Sequence, residues 1–133
     1  MARKVVIVEG GAEYTEQVQQ LRTHPAYEVV LCPVGPQTLP CIQRAQPSVV
    51  IVDLRTPSMD GIDLIQVLRF HPATASLPVV LVSSPRYAVG LLLDQLKAQR
   101  IYLLSRPFTL EQLATAVEEA AAMAAKPAPP KRR

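Results

Sequence analysis

The sequence predicts an α/β fold in which five parallel strands form one sheet with helices on both of its faces. Five short runs rich in Val, Ile and Leu recur along the 133 residues, and segments with helical spacing of apolar residues separate them. Parallel neighbours in a sheet need a crossover connection, so regular alternation of strands and helices favours a parallel sheet. In the third run the consecutive aliphatic residues 49–52 require cover on both faces of the strand, as such a sheet provides.

The strand predictions follow these apolar runs in order. Each run has the length of a strand and is bounded by residues that favour turns or helix starts. The predicted strands comprise residues 4–9, 28–33, 48–54, 78–84 and 101–105. In the third strand Asp53 stands at the end of the apolar run, which places a carboxylate at the carboxyl end of a buried strand. Open α/β sheets bind their ligands at that edge.

The helix predictions rest on the spacing of apolar residues and on the positions of proline. The predicted helices comprise residues 13–23, 37–45, 61–70, 86–99 and 109–125. In the first, Tyr14, Val18 and Leu21 share one face. The second is short because it begins after Pro36 and contains Pro40 in its first turn. The helix predicted over residues 86–99 has an apolar stripe broader than one buried face needs, which is typical of core residues, with an interaction surface as the alternative for part of it.

The last helix has the strongest sequence signals. Thr109 and Gln112 resemble a capping box, in which each side chain bonds the backbone of the other residue. The apolar stripe of this helix comprises Leu110, Leu113, Ala116 and Val117. Pro127 ends the run. We therefore expect one domain over residues 1–125, followed by a disordered Pro-rich and basic tail over residues 126–133.

Composition excludes several classes of function. A net charge of +3 that arises partly at the chain ends implies no basic groove, and 5% aromatic residues without Trp argue against a nucleic-acid platform. We therefore expect no nucleic-acid binding by this chain. No run is long enough to span a bilayer, so a cytoplasmic protein without membrane contact is expected. Cys32 and Cys41 have neither Cys-x-x-Cys nor metal spacing, which predicts two reduced, packed thiols.

Four side chains lie at or just after the carboxyl ends of predicted strands and gather at one crevice if the sheet is doubly wound. They are Glu9, Asp53, Ser83 and Arg106. With the stretches Asp53-Leu-Arg-Thr-Pro-Ser-Met-Asp-Gly61, Leu77-Pro-Val-Val-Leu-Val-Ser-Ser84 and Arg106-Pro-Phe108, this set resembles the receiver domain of two-component response regulators. The resemblance extends from Lys4 to about Ala121 and implies a flavodoxin-like, doubly wound (βα)5 fold.

The resemblance implies a phosphorelay function and a role for each residue. Asp53 is the phosphoacceptor, which takes a phosphoryl group from a histidine kinase in a site with a divalent metal. Mg²⁺ suits such a site because it takes oxygen ligands and screens the carboxylate during attack on phosphorus. Ser83 donates to one phosphoryl oxygen, and Arg106 offsets the charge of another. The alternative for Asp53 is a purely structural cap of the turn at residues 57–61.

Three departures from the family pattern weaken that site. The family has two adjacent acids after the first strand, whereas this chain has Glu9-Gly10, so a metal site formed by Glu9 and Asp53 is weak or lost. Arg106 replaces a lysine, and its planar guanidinium is expected to pair with Asp53, Glu9 or both. Leu103 replaces an aromatic residue that swings inward on activation. Tyr102, one position away, points to the opposite face of a strand.

Two function hypotheses follow, and a third is weaker. The favoured one is a non-enzymatic pseudo-receiver that acts through protein–protein interaction, and the alternative is a working receiver phosphorylated on Asp53. The third, a flavin or nucleotide site in the crevice, lacks a Gly-x-Gly-x-x-Gly loop after Glu9. The resemblance implies a histidine kinase or another signalling protein as partner. It also implies an interaction or homodimer face formed by residues 86–99, 101–104 and 109–123.

Overall fold

The computed structural model describes residues 3–9, 15–33, 35–53, 61–83, 101–105 and 108–125. The strands are β1 (Arg3–Glu9), β2 (Tyr27–Pro33), β3 (Val49–Asp53), β4 (Val79–Ser83) and β5 (Ile101–Ser105). The helices are α1 (Thr15–Thr23), α2 (Thr38–Ala45), α3 (Gly61–Phe70) and α4 (Leu110–Ala125). The helix predicted over residues 86–99 and the tail predicted over residues 126–133 lie outside the described residues.

The five strands form one parallel sheet in the order β2-β1-β3-β4-β5. The predicted five-stranded parallel sheet is therefore confirmed. Because β1 lies between β2 and β3, the chain crosses back over β1 to build the second half of the sheet. All five carboxyl ends meet at one edge, which is where parallel sheets carry their functional residues.

Alternate residues of each strand pack into two separate cores on the two faces of the sheet. The core beneath α1 and α4, hereafter the α1/α4 core, comprises Val5, Ile7, Val18, Leu21, Tyr27, Val49, Ile51, Val80, Val82, Phe108, Leu113, Ala116, Val117 and Ala120. The core beneath α2 and α3, hereafter the α2/α3 core, comprises Val6, Val8, Cys32, Ile42, Ala45, Val50, Val52, Leu64, Ile65, Leu68, Val79, Leu81 and Ile101. The absence of polar alternation in β3 thus has the predicted cause, burial on both faces.

Local hydrogen bonds fix where the helices begin. The capping box before α4 forms as predicted, since Gln112 N donates to Thr109 Oγ1 at 3.1 Å and Thr109 N donates to Gln112 Oε1 at 2.8 Å. Before α2, Gln37 makes no side-chain cap. There the buried Thr38 hydroxyl accepts from Gly35 N at 2.9 Å and donates to Pro33 O. Gly35 has φ of 131°, a backbone conformation that favours glycine.

The expectation of two reduced cysteines is wrong, because Cys32 and Cys41 form a disulfide. Cys32 is the sixth residue of β2 and Cys41 the fourth of α2. A short turn folds α2 back onto the sheet face that carries Cys32, which brings the two Cα atoms to 5.8 Å. That separation suits a disulfide. Spacing along the chain did not predict the bond because the approach depends on how the helix returns over its strand.

A polar cluster joins the amino ends of β1 and β2 to α4. Glu118 accepts two hydrogen bonds from the Arg3 guanidinium, at 3.0 and 3.1 Å, and one from the Tyr27 hydroxyl at 2.8 Å. The hydrogen bonds from Arg3 lower the pKa of the Glu118 carboxyl, against the opposing effect of burial. Burial and the bond to Glu118 raise the pKa of Tyr27 to about 12.

No helix in the described part of the chain is long and apolar enough to cross a membrane.

Candidate functional site

Three of the four predicted site residues end strands at the carboxyl edge of the sheet. Glu9 is the last residue of β1, Asp53 of β3 and Ser83 of β4. The backbone register puts Asp53 beside Val82, the residue before Ser83, and Ser83 beside Ser105 at the end of β5. The topology therefore gathers these chain positions at one edge, as the sequence predicts.

Glu9 and Asp53 occupy matching levels of neighbouring strands. β1 and β3 pair directly, with Ile7 opposite Ile51. Glu9 and Asp53 each follow their member of this pair by two residues. Adjacent strands lie about 4.8 Å apart, so the backbone brings these two acidic residues to the same part of the edge. Two carboxylates on such a scaffold are a candidate for binding a hard cation or for accepting a group at oxygen.

The other features that the sequence analysis assigned to the site are not among the described residues. Gly10, Arg106 and the turn at residues 54–60 lie outside the described residues. For Glu9, Asp53 and Ser83 the structure describes the backbone, which fixes their places on the strands. Among the side chains that it describes, no group of three or more His, Cys, Asp or Glu residues is placed to hold a metal ion. The metal role of Glu9 and Asp53 thus stays a prediction.

The two central residues of β5 face opposite sides of the sheet. Tyr102 packs against the α1/α4 core, and Leu103 packs against the α2/α3 core. Tyr102 therefore does not take the place of an aromatic residue at position 103, as strand alternation predicts. Position 103, where the resemblance leads us to expect an aromatic residue, thus carries an aliphatic side chain on the α2/α3 side of the sheet.

One pair of chemically active residues escaped prediction. The Cys32–Cys41 disulfide lies next to the candidate site, since Cys32 pairs in register with Val8, the residue before Glu9. A cysteine near the end of a strand and another in the first turns of the following helix is the signal that was present in the sequence. Its meaning depended on α2 packing against the face that Cys32 shares.

Solved structures share this architecture across nearly the whole chain. A putative response regulator from Chloroflexus aurantiacus superposes with a TM-score of 0.78 and 23% identity, covering 92% of this chain and 99% of that chain. The chemotaxis response regulator CheY4 of Vibrio cholerae gives a TM-score of 0.75 at 21% identity, covering 90% of this chain and 99% of that chain. At such identities the likeness shows the fold.

Sequence comparison extends the likeness to a family. The DNA-binding response regulator MtrA of Mycobacterium tuberculosis is 25% identical over 117 residues, which cover 88% of this chain and 50% of that protein. The chain thus spans about half the length of this curated relative. Residues 5–118 match the profile of the response regulator receiver domain. With the parallel sheet and the acidic residues at its carboxyl edge, this match shows that the chain belongs to the response regulator receiver domain family of two-component signalling.

Proposed function

We propose that this receiver domain is atypical and acts through protein–protein interaction, with weak or no Mg²⁺-dependent phosphorylation of Asp53. The observation that carries the proposal is the sequence Glu9-Gly10 at the end of β1. The family pattern has two adjacent acids there, and this chain supplies one. The proposal assigns the receiver role to residues 1–125 and leaves residues 126–133 as a tail.

The donor set fits a magnesium ion poorly. Mg²⁺ requires near-ideal octahedral geometry and sheds its water reluctantly, so each lost carboxylate matters. Glu9 and Asp53 lie at matching levels of β1 and β3, and Gly10 has no side chain to add to them. Glu9 and Asp53, without an acid at position 10, favour a weak site that the free Mg²⁺ of the cell occupies only in part.

Arg106 supplies a second reason for weak phosphorylation. Arg106 follows β5 in the sequence and takes the position of the family lysine. β5 pairs with β4, which ends at Ser83. A guanidinium is planar, permanently charged and able to bond a carboxylate through two N–H groups. We propose that it pairs with Asp53 or Glu9 and so holds the position of a phosphoryl group. An occupied, neutralised carboxylate is a poor nucleophile.

Leu103 is the third feature that supports an interaction module. In β5 it lies on the α2/α3 side of the sheet and Tyr102 lies on the other side. A leucine has no hydroxyl and no ring to move between two positions in response to a phosphoryl group. We therefore propose that the surface seen by a partner does not depend on modification at Asp53.

The alternative function is phosphoacceptance at Asp53 from a histidine kinase. Asp53 and Ser83 keep the residue types and strand-end positions that this chemistry uses. Intact-protein mass spectrometry after incubation with Mg²⁺ and acetyl phosphate separates the two. We expect little or no phosphoryl adduct on the natural chain and none on Asp53→Asn. An adduct on most of the natural chain that Asp53→Asn lacks would establish the alternative and end the proposal.

A variant that restores the family residues tests whether Gly10 and Arg106 cause the weak phosphorylation of Asp53. We expect Gly10→Asp combined with Arg106→Lys to gain an Mg²⁺-dependent phosphoryl adduct that is lost again when Asp53→Asn is added. Arg100→Lys is the matched control, because it makes the same change of cation before β5. Failure of the restored variant, with its circular dichroism unchanged, would mean that Gly10 and Arg106 are not what silences the site.

The proposed partners are proteins of the signalling pathway. A histidine kinase or another signalling protein is the expected partner, in the cytoplasm, and a second copy of the chain is an alternative for the same face. The described part of that face comprises β5 and α4.

A further inference from the structure

We propose that Cys32 and Cys41 form a reversible thiol–disulfide site that exchanges with small thiols and disulfides of the glutathione class. The bond joins the end of β2 to the first half of α2. Its two sulfurs differ in surroundings, and this difference sets the route of exchange. The site is independent of any chemistry at Asp53.

Cys41 is the sulfur that an external thiol can reach. Cys32 is fully buried in the α2/α3 core, and its neighbour on the sheet is the aliphatic Val8 of β1. Cys41 is only half-buried and packs against the edge of that core. Exchange requires a thiolate to approach one sulfur directly. Attack therefore falls on Cys41, and Cys32 is the leaving group.

The exchange balances with a disulfide or thiol of the same class. In oxidation, the Cys41 thiolate attacks an external disulfide, releases one thiolate and forms a mixed disulfide. The Cys32 thiolate then displaces the second external thiolate and closes the bond. Two protons and two electrons pass to the external disulfide, which becomes two thiols. Reduction runs the same steps backward, with the Cys41–Cys32 bond broken by the incoming thiolate.

The state of this bond changes how firmly α2 is held. α2 has eight residues, includes Pro40, and begins after Gln37, which contributes no side-chain cap. A short helix gains most of its stability from packing and tethers. With the bond open, the tethers that remain are the hydrogen bonds of Thr38 and the burial of Ile42 and Ala45. Reduction therefore loosens α2 while the sheet stays intact.

The surroundings of the two cysteines also suit both redox states. In the cytoplasm, the location proposed above, disulfides serve redox sensing more often than structure. Cys41 lies 4.0 Å from the carbonyl oxygen of Leu31, so the reduced thiol has an acceptor nearby. The fully buried Cys32 is accommodated as a small apolar side chain once reduced. Both states thus fit the same fold.

The first test titrates the natural chain in glutathione buffers that run from fully oxidised to fully reduced. An acid quench traps the thiol state, the protein is then unfolded in denaturant at neutral pH with N-ethylmaleimide so that buried Cys32 is also alkylated, and the intact mass counts the free thiols. With the redox equilibration itself free of denaturant, we expect none at the oxidised end, two at the reduced end, and return to none on reoxidation. Two thiols in every buffer, or none at the reduced end unless denaturant is present during the equilibration, would overturn the proposal.

The second test locates the entry sulfur and the response of α2. In Cys32→Ala the lone Cys41 is expected to react with oxidised glutathione about tenfold faster than the lone Cys32 of Cys41→Ala, because an exposed thiol is more susceptible than a buried one. Equal rates would contradict the route. If either variant fails to fold, peptide mapping of the mixed disulfide in the natural chain replaces it, with the glutathione expected on Cys41.

Hydrogen exchange measures the response of α2. On reduction the exchange rate should rise in α2 and stay constant in α3; an unchanged rate in α2 would refute the loosening.

Discussion

Tyr27 illustrates how a single hydroxyl supports the contact between the sheet and the last helix. It is 8% exposed and donates to Glu118 at 2.8 Å, 91 residues further along the chain. Burial, with the bond to Glu118, raises its pKa from 10.0 to about 12. Below pH 10 both the folded and the unfolded states keep the proton. Between about pH 10 and 12 only the unfolded state loses it, so the free energy of unfolding falls as pH rises.

Replacement of that hydroxyl should remove the hydrogen bond to Glu118 and the loss of stability at alkaline pH. We expect Tyr27→Phe to lower the free energy of unfolding at pH 7 by about 1 kcal/mol, the net value of one hydrogen bond, and to flatten the loss of stability above pH 10. Urea unfolding followed by circular dichroism at pH 7 and across the alkaline range measures both. Tyr102→Phe is the control, since it is half-buried against the same core. An alkaline slope unchanged in Tyr27→Phe would show that another group causes it.

The cluster around Glu118 also shows where prediction from sequence stops at this scale. Arg3 and Glu118 lie 115 residues apart. Apolar patterning indicates which face of a helix is buried, and it correctly marks Leu113, Ala116 and Val117. It does not indicate which exposed polar side chains meet across two elements. For the same reason the residue types of Glu9, Asp53, Ser83 and Arg106 predicted a site, whereas their pairing stays a proposal.

At the scale of elements, the capping box before α4 provides a measurable contribution. Thr109→Ala removes the oxygen that accepts from Gln112 N and is expected to cost about 1 kcal/mol in the free energy of unfolding. Thr115→Ala is the matched control, an exposed position inside the same helix where alanine is neutral or slightly favourable. Chemical denaturation of both variants decides. Equal losses would mean that the side-chain cap adds nothing to α4.

The strands were predicted to within one residue at each end, and β5 without error. Short aliphatic runs bounded by Pro, Gly and Ser carry that information locally. α2, predicted over residues 37–45 and found over residues 38–45, was also placed within one residue, although its proline and its lack of a side-chain cap give few local signals. The bond that ties it to β2 is a tertiary contact. The prediction of reduced thiols therefore failed at the point where local patterning no longer determines the structure.

For the whole molecule, two cores separated by one sheet should still unfold together. Ile51 belongs to the α1/α4 core and Ile65 to the α2/α3 core, and both are at most 2% exposed. Each Ile→Val change is expected to cost about 0.5–1.5 kcal/mol. Because the two side chains lie in different cores, their costs should add within about 0.5 kcal/mol.

The measurement is thermal and urea unfolding of Ile51→Val, Ile65→Val and the double variant. Circular dichroism should report one transition, and hydrogen exchange should show both cores losing protection together. Two separate transitions, or a double variant far from the sum of the singles, would show that the faces of the sheet fold as independent units. The fold class itself was predicted because alternation of strands and helices admits few topologies.

The order of elements has a consequence for synthesis on the ribosome. The side chains with which α4 covers one face of the sheet are Leu113, Ala116, Val117 and Ala120, and all of them emerge after the five strands. Until then the aliphatic residues Ile51, Val80 and Val82 of β3 and β4 lack their cover from α4. The nascent chain therefore passes through a late stage with an exposed apolar sheet, when chaperone binding protects it most and aggregation threatens it most.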